Sequence, residues 1–242
     1  VLGSGLSSLA EELVKTTIIP FSDIPDYPEI SVSGHRGDFI FGYLDKTPIL
    51  CSRGRFHFYE GLSISEVTTP IKLFSMLHIP NLILTNSAGC VNLNWGVGDI
   101  MIVNGHLDFT FKNSSPTIIN TKNIYKEKNL QIAKDVAQKL NMNLREGVYT
   151  WTLGPTYETP AEIKMIREIG GDVVGMSTLP EITEAGRLNL NLWTFSCLTN
   201  MAAGVSKGQL THQEVLLNAD KHKERFKIFI EQLIILKTEE IK

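Results

Sequence analysis

Residues 159–199 read TPAEIKMIREIGGDVVGMSTLPEITEAGRLNLNLWTFSCLT, and this stretch decides the fold class. Thr159–Glu162 and Thr178–Glu181 both have the S/T-x-x-E spacing of a capping box, in which two side chains satisfy free N–H groups at a helix start. Each box therefore predicts a helix, and each helix is followed by an apolar run of strand length, DVVGM (172–176) and LWTFSCLT (192–199). Helices that alternate with buried strands predict an α/β domain with a largely parallel or mixed sheet.

The same alternation extends from this stretch toward both ends of the chain. Two further capping boxes, Ser63–Glu66 and Thr211–Glu214, predict helix starts. Apolar residues at helical spacing predict a helix over 130–140, and residues 109–128 read as a polar loop whose length is typical of functional or flexible segments. The other strand-like runs are DFIFGYL (38–44), TPILCS (47–52), NLILTN (81–86), DIMIVN (99–104) and GVYTWT (147–152). The buried face of a long last helix would comprise Val215, Ala219, Phe226, Phe229, Ile230 and Leu233.

Length and composition favour one domain. The chain has 242 residues, 43% of them hydrophobic, and no repeat, low-complexity tract or Gly/Ser linker divides it, so we expect a single domain over residues 1–242. The net charge of −3 lacks the basic excess of a nucleic-acid binder, and no apolar run has the ~20-residue length that spans a bilayer. The start VLGSGLSSLA has neither an initiating Met nor the charged region of a signal peptide, and we expect a further N-terminal segment before it.

The chain has three cysteines, Cys51, Cys90 and Cys197, which are far apart and lie in or beside apolar runs. An odd number without C-x-x-C spacing argues against a disulfide framework and against a zinc site. Because free thiols persist in reducing compartments, the sequence predicts a cytoplasmic protein.

The most unusual motif is RGRFHFYEG (53–61), which follows a strand-like run. If the strand continues, side chains alternate between two faces, and Arg55, His57 and Tyr59 share one face with Arg53. Positive groups gain nothing from lying side by side unless they bind an anion, and the planar guanidinium of Arg55 suits phosphate oxygens. The motif therefore indicates a small-anion site. For Arg53, an ordinary ion pair with an acidic side chain is an equal alternative.

Small and polar residues also follow two other strands, where the ligands of α/β sheets commonly bind. GSG (3–5) leaves backbone N–H groups accessible on both sides of Ser4. In TNSAG, Asn86, Ser87 and Gly89 come at the end of a buried run, where an ordinary tight turn is the alternative to a ligand site.

Two further strand ends carry single polar residues of interest. Glu158 in GPTYETP (154–160) precedes a capped helix start, so it is either a ligand-binding group or a carboxylate near the positive end of the helix dipole. Asn200 in TNMAAG (199–204) is either a ligand-binding group or a turn asparagine. Among the remaining histidines, His35 and His212 are candidate site residues, His106 is expected to be structural, and His78 and His222 are expected to be incidental.

Taken in order, nine blocks of the chain resemble the trimeric purine nucleoside phosphorylases. These form the 6-oxopurine-preferring branch of a family that also contains methylthioadenosine phosphorylases. The blocks are GSGL, SGHRG, RGRFHFYEG, TNSAG, VGDIM, GPTYET, VGMSTLPE, TNMAAG and THQEV, and they extend over nearly the whole chain. The resemblance implies a single α/β domain with a central mixed sheet partly curled into a barrel and surrounded by helices. It also implies a homotrimer.

The resemblance further implies an enzyme of purine salvage, a pentosyltransferase that acts on purine ribo- or deoxyribonucleosides such as inosine and guanosine. Inorganic phosphate would be the co-substrate, with no metal or organic cofactor and no nucleic-acid or membrane partner. The implied phosphate-binding groups are Ser4, His35, Arg55, His57, Ser177 and the backbone of Ser87. The implied ribose contacts are Tyr59, Met176 and His212, and the implied base contacts are Glu158, Asn200, Ala88 and Gly89. The residues expected to act in catalysis are His57, Glu158 and Asn200.

Three features depart from the family pattern. Segment 109–128 is shorter than in typical members and lacks their ERF block, whose phenylalanine reaches the ribose of a neighbouring subunit; Phe109 or Phe111 could take that place. Ser87 stands where alanine is commoner, and Met201 stands where animal members have lysine.

Three other functions remain open at the level of sequence. A methylthioadenosine phosphorylase would share the fold and the phosphate site, but it normally has aspartate at the position of Asn200 and no counterpart of Glu158. A non-catalytic nucleoside- or phosphate-binding protein would have an incomplete phosphate set. A dinucleotide-dependent dehydrogenase would need a third glycine where Ser8 follows GSG (3–5).

Overall fold

The computed structural model describes residues 1–3, 7–29, 36–112, 114–119, 121, 124–206 and 212–239, and for residues 7, 8, 212–216, 219 and 239 it describes the backbone alone. The predicted phosphate ligands Ser4 and His35 lie outside the described residues. The same holds for the side chain of His212 and for the capping box at Thr211.

All seven predicted strands are present among the described elements. Two additional strands, β1 and β6, escaped prediction because β1 is exposed along its whole length and β6 has only three residues, so neither shows a buried alternation. The strands are β1 (Val14–Pro20), β2 (Asp38–Leu44), β3 (Thr47–Arg53), β4 (Asn81–Cys90), β5 (Ile100–Asp108), β6 (Thr117–Ile119), β7 (Leu144–Trp151), β8 (Val173–Gly175) and β9 (Asn191–Met201). The helices are α1 (Ile64–Val67), α2 (Thr69–Met76), α3 (Glu127–Lys139), α4 (Pro160–Glu168), α5 (Leu179–Arg187) and α6 (His212–Glu239).

Two of the predicted capping boxes are confirmed. Ser63 accepts a hydrogen bond from the backbone N–H of Glu66, and Thr159 accepts one from that of Glu162. In both boxes the glutamate side chain returns to the backbone N–H of the cap residue. These local contacts set the starts of α1 and α4.

The capping box predicted at Thr178–Glu181 is wrong, although α5 does begin there. The backbone of Thr178 has a φ of 74°, and its side chain makes no cap hydrogen bond. Its hydroxyl instead contacts Ser177 and Asn86, and the Glu181 carboxylate forms an ion pair with Arg55. Contacts to distant strands therefore replace the local cap.

The larger of two sheets closes on itself. Its strands follow the order β5-β7-β8-β4-β9, and β9 pairs back with β5, while β6 adds to β5 outside the ring. The pairs β4–β9, β5–β7 and β7–β8 are parallel, whereas β4–β8 and β5–β9 are antiparallel. A closed ring leaves no unpaired edge among its five strands. The predicted mixed sheet curled into a barrel is confirmed, and its closure is complete.

The smaller sheet has the antiparallel order β1-β2-β3, and residues 1–3 connect it to the barrel. The N–H of Leu2 donates to the carbonyl of Ser52 in β3 at 3.0 Å, and the N–H of Gly3 donates to the hydroxyl of Thr85 in β4 at 3.0 Å. A Cβ on Gly3 would lie 2.7 Å from the Cα of Asn86, so only glycine allows this approach. The connection places the end of β3 beside the middle of β4.

Helices α3 and α6 pack on the outside of the barrel, against side chains of β5 and β9. The predicted buried face of α6 is confirmed at Phe226, Phe229, Ile230 and Leu233, while the side chains of Val215 and Ala219 lie outside the described residues. Histidine 106 is buried among the barrel strands, with Nε2 2.6 Å from the hydroxyl of Tyr125. Its expected structural role agrees with this position.

Segment 109–128 is more ordered than a polar loop. Within its described residues, β6 pairs antiparallel with β5, and α3 already begins at Glu127. The side chains of Phe109 and Tyr125 are buried, so apolar contacts anchor both ends of the segment.

Over the part of the chain that the structure describes, no helix is both long and apolar enough to cross a bilayer. Within the same residues, no three His, Cys, Asp or Glu side chains converge as metal ligands would. Cys51, Cys90 and Cys197 are free and buried.

Candidate active site

A cavity of about 230 Å³ opens where β4 and β9 end beside the segment that follows β3. One end is lined by Arg55, His57 and Ser177, and the other by Glu158 and Asn200. Residues from five separate parts of the chain therefore converge on one space. Its size and its few polar groups suit a small organic molecule.

Arg55 supplies the positive end of the cavity. Its side chain is only 2% exposed, and three contacts hold the guanidinium in place. Nε lies 3.1 Å from a carboxylate oxygen of Glu181, and Nη1 donates to the carbonyl of Thr85 at 2.7 Å and to the hydroxyl of Ser177 at 3.4 Å. Within the described residues, Nη2 has no hydrogen-bond partner. A buried donor without a partner is costly, so this nitrogen is suited to an anion in the cavity.

Arg53 was one of two arginines that the sequence placed on the same face, and it does not enter the cavity. It forms a bidentate ion pair with Asp38, with nitrogen–oxygen distances of 2.6 and 2.7 Å. Strand β3 ends at Arg53, and a 3-10 turn at Phe58–Glu60 follows. The ion-pair alternative for Arg53 is therefore correct, because its side chain faces the neighbouring strand β2.

His57 and Tyr59 line the cavity beside Arg55, as the alternation predicted. Their rings stack with centroids 4.9 Å apart. The backbone N–H of His57 donates to Glu60 at 2.6 Å, and its Nδ1 lies 3.4 Å from the same carboxylate oxygen. Phe56, which alternates to the opposite face, is buried in the core. Because the regular strand ends at Arg53, tertiary contacts rather than strand alternation direct Phe56 to the core and the other three side chains to the cavity.

A chain of hydroxyl and amide groups forms the floor next to Arg55. The hydroxyl of Ser177 lies 2.8 Å from that of Thr178, which accepts from the side-chain amide of Asn86 at 3.1 Å. The N–H of Ser177 also points to the hydroxyl of Tyr149, 3.3 Å away. The positive φ of Thr178 is sterically unfavourable for a β-branched residue, and these contacts hold it.

Glu158 also lines the cavity and is half-buried. The hydroxyl of Thr152 donates to its Oε1 at 2.6 Å. Burial raises the pKa of the Glu158 carboxyl, while the hydrogen bond from Thr152 opposes that rise. The carboxylate of Glu162 raises the pKa further by charge repulsion. Glu158 is thus a cavity group and not merely a carboxylate at a helix end.

Asn200 lies within β9 and not in a turn. Its Nδ2 donates to the carbonyl of Met201 at 3.1 Å, and its Oδ1 accepts from the hydroxyl of Thr199 at 3.1 Å. A Cβ on Gly89 would lie 3.1 Å from this Nδ2, so glycine gives the amide its space. These contacts fix which side of the amide is donor and which is acceptor.

The residues Ser87, Ala88 and Gly89 also differ from the prediction, because they continue β4 and do not form a loop after it. Their pairing with β9 shifts by one residue, since Ala88 lies opposite Leu198 and Gly89 lies opposite Asn200. One residue of β9 is therefore extra, which defines a β-bulge. The bulge lies at the cavity, where an interrupted ladder leaves backbone groups for a ligand.

The structure brings together most of the predicted site. Met176 lines the cavity between the two ends, and a Cβ on Gly154 would lie 2.5 Å from its sulfur and 2.9 Å from the ring of Tyr59. The predicted residues that meet at the cavity are Arg55, His57, Tyr59, Ser87, Ala88, Gly89, Glu158, Met176, Ser177 and Asn200. Asn86, which the TNSAG motif had indicated, also lines the cavity. Residues that sequence reasoning missed as site groups are Thr152, Tyr157, Thr178 and Glu181. The sequence marked Thr178 and Glu181 only as a capping box and Tyr157 only as part of a quoted motif, and no local pattern marked Thr152.

Comparison with known proteins agrees with the fold and the cavity. The family model described as the phosphorylase superfamily matches residues 1–235. Purine nucleoside phosphorylase 1 of Geobacillus stearothermophilus is 41% identical over 243 residues, which cover 97% of this chain and 89% of the relative. Identity of that level over nearly the whole length is decisive. The chain belongs to the purine nucleoside phosphorylase family. It is therefore an enzyme of a pentosyltransferase family.

Solved structures of purine nucleoside phosphorylases have the same fold. The Schistosoma mansoni enzyme in complex with inosine superposes with a TM-score of 0.88 at 31% identity, covering 96% of this chain and 88% of that one. Isoform 2 from the same organism, in complex with cytosine and ribose-1-phosphate, gives a TM-score of 0.87 at 32% identity and covers 96% and 87%. The likeness to these structures extends over nearly the whole chain.

Proposed function

We propose that this chain catalyses the phosphorolysis of purine nucleosides in purine salvage. Inosine or guanosine, or their deoxy forms, would react with inorganic phosphate to give the free base and the (deoxy)ribose 1-phosphate. One observation carries the proposal: a single cavity joins the buried guanidinium of Arg55, whose Nη2 has no partner within the described part of the chain, to a half-buried carboxylate and a buried amide. A charged co-substrate fits the first end and a polar heterocycle fits the second.

At the first end, Arg55 and Ser177 would bind the phosphate, together with His57 and the backbone of Ser87. The ion pair with Glu181 fixes the guanidinium before the anion arrives, so little reorganisation is needed on binding. Ser4 and His35 would complete this set, as the resemblance implies. No organic cofactor or metal enters the proposal.

At the second end, Glu158 and Asn200 would read the purine. An ionised Glu158 accepts from N1–H of hypoxanthine or guanine, and Asn200 donates to O6 while accepting from N7–H. Ala88 and Gly89 would lie along the base. Tyr59, Met176 and His212 would contact the ribose between base and phosphate.

The chemistry follows from where charge develops. The C1′–N9 bond breaks with its electron pair leaving to the base, and a phosphate oxygen forms the new bond to C1′. The proton of hydrogen phosphate ends on the departing base, so the step is balanced. Positive charge on the sugar faces the phosphate, and negative charge on the base faces Asn200. Both ends of the cavity therefore stabilise the transition state more than the ground state.

Two further aspects belong to the proposal. A homotrimer is supported by membership of the family and by apolar side chains exposed near the cavity mouth, Leu153 and Tyr157. A cytoplasmic location is supported by the three buried free thiols.

A phosphate-dependence assay tests the function. We expect hypoxanthine release from inosine to require phosphate or arsenate, because the buried cationic end of the cavity has no role in hydrolysis. Comparable release in phosphate-free buffer would indicate a hydrolase and overturn the proposal. Arg55→Ala should raise the KM for phosphate and lower kcat, since one charge-assisted contact contributes about 1.5–3 kcal/mol. Arg53→Ala is the matched control, because it removes a buried ion pair outside the cavity and should lower stability without changing the KM for phosphate.

A further inference from the structure

Thr152 has no role in the chemistry described above, yet its hydroxyl makes one of the shortest side-chain contacts at the cavity. It follows directly after β7 and is only 7% exposed. Its Oγ1 lies 2.6 Å from Oε1 of Glu158 and 3.4 Å from the carbonyl oxygen of Gly175. That carbonyl already accepts from the backbone N–H of Thr152 at 2.9 Å. The single hydroxyl proton therefore goes to Glu158.

Burial and a like charge disfavour an ionised Glu158, whereas hydrogen bonds from the hydroxyl of Thr152 and from the backbone N–H of Glu158 itself favour it, the former more strongly. In the described part of the chain, the charged group that acts on it is the carboxylate of Glu162, which has the same sign. The titratable group beside it in sequence is Tyr157, a phenol that is neutral at physiological pH. Thr152 thus supplies the neutral donor that opposes both burial and the Glu162 charge.

The contact also restricts geometry. With Oε1 engaged by Thr152, the second carboxylate oxygen is the one available to a base in the cavity. To accept from N1–H, the carboxylate must place an oxygen with a free lone pair at a fixed position. A side chain already fixed in one rotamer does this at a lower entropic cost on binding.

We propose that Thr152 is a positioning residue for the base reader, holding Glu158 with one oxygen bound and the other directed at a purine that carries a hydrogen on N1. The selectivity for 6-oxopurines then depends on Thr152 as well as on the two groups that touch the base. This inference rests on the proposed function of the site.

Thr152→Val removes the hydroxyl with little change of shape. Without the hydrogen bond the pKa of Glu158 rises further, so the acid limb of the pH profile of kcat/KM for inosine should move upward by about one unit, with about a tenfold loss on the acid side of that limb. The ratio of inosine to adenosine turnover should fall, since a protonated Glu158 can donate to the bare N1 of adenosine. Thr152→Ser keeps the hydroxyl and should restore both the profile and the ratio.

Thr150→Val is the matched control. It is the same substitution at a fully buried threonine of β7 whose hydroxyl has no hydrogen-bond partner among the described residues. It should leave the pH profile and the substrate ratio unchanged. A loss of activity in Thr152→Val that is equal at every pH, or one that Thr152→Ser does not restore, would show a merely structural role and overturn the inference.

The two proposals fail in different ways. If wild-type protein released base without phosphate, the proposed function would fall, and the affinity for hypoxanthine measured by calorimetry across pH would still test Thr152. An affinity with the same pH dependence in wild type and Thr152→Val would refute the inference even where phosphorolysis is established.

Discussion

At the scale of single residues, the two charged groups Arg55 and Glu158 are each held by a side chain from elsewhere in the chain. Glu181 holds Arg55, and Thr152 holds Glu158. Desolvating a charge without such a partner costs several kcal/mol, so the partners are as necessary to the site as the groups that touch the ligand. A buried charge with one fixed partner keeps its remaining hydrogen-bonding capacity for a substrate.

Asn200→Asp should narrow the preference for inosine over adenosine. In the wild type, adenosine leaves Glu158 facing a bare N1 and Asn200 facing an amino group. Each unpaired contact costs about 1–3 kcal/mol. Together they should make kcat/KM for adenosine about two to four orders of magnitude lower than for inosine. In the variant, a protonated aspartate can donate to N7 while its other oxygen accepts from the 6-amino group.

Steady-state kinetics on inosine, guanosine and adenosine with both proteins measures the effect. Equal wild-type kcat/KM values for inosine and adenosine would show that Glu158 and Asn200 do not read the base.

At the scale of elements, the site is built where regular structure is interrupted. The bulge between β4 and β9 lies beside Asn200, and α5 begins at a Thr178 whose backbone has a φ of 74°. A regular ladder or an ordinary helix cap would have used these same polar groups internally. Because the regular structure is interrupted, these polar groups remain available to the cavity and to one another.

The barrel strand β5 carries His106, whose burial lowers its pKa to about 3. Above the unfolded value of roughly 6.5 the imidazole is neutral in both states, and stability is unaffected. Below that value the unfolded chain takes up a proton that the folded barrel excludes. As the pH is lowered from that value, the free energy of unfolding should therefore fall by about 1.4 kcal/mol per pH unit. The loss should level off near a pH of about 3.

His106→Gln lacks this titration. Urea unfolding of both proteins across that range should show that their free energies of unfolding converge as the pH is lowered. A stability difference that stays constant with pH would contradict the burial argument.

At the scale of the whole molecule, the cavity exists because a closed barrel and a separate three-stranded sheet meet. Residues 1–3 hydrogen-bond to both sheets and hold the end of β3, with Arg55 just beyond it, against the middle of β4. Closure of the barrel brings β9, with Asn200, to the same place. Neither sheet alone contains both ends of the site.

The proposed homotrimer predicts a particle of about three times the single-chain mass of 27.0 kDa in light scattering. Exposed apolar side chains such as Phe111 and Ile118, which are 47% and 76% exposed in the single chain, would then be partly covered. A fully active particle of single-chain mass would refute the trimer.

The sequence alone determined the features that depend on local spacing. The capping boxes at Ser63 and Thr159 use contacts three residues apart, and the buried face of α6 follows from helical periodicity. The alternation in RGRFHFYEG also predicted that Arg55, His57 and Tyr59 share one side, although the regular strand ends at Arg53 and Tyr59 lies in a 3-10 turn. Ordered motifs then identified the family, and with it most of the site.

Only the tertiary structure decided which partner each buried group takes. Arg53 and Arg55 are alike in sequence, but one pairs with Asp38 in the next strand and the other enters the cavity. Glu181 has the spacing of a cap residue and instead pairs with Arg55, which lies far from it in the chain. The physical reason is that a buried charge costs more than a local cap returns, so the strongest available long-range partner wins. That choice depends on barrel closure, which no local pattern records.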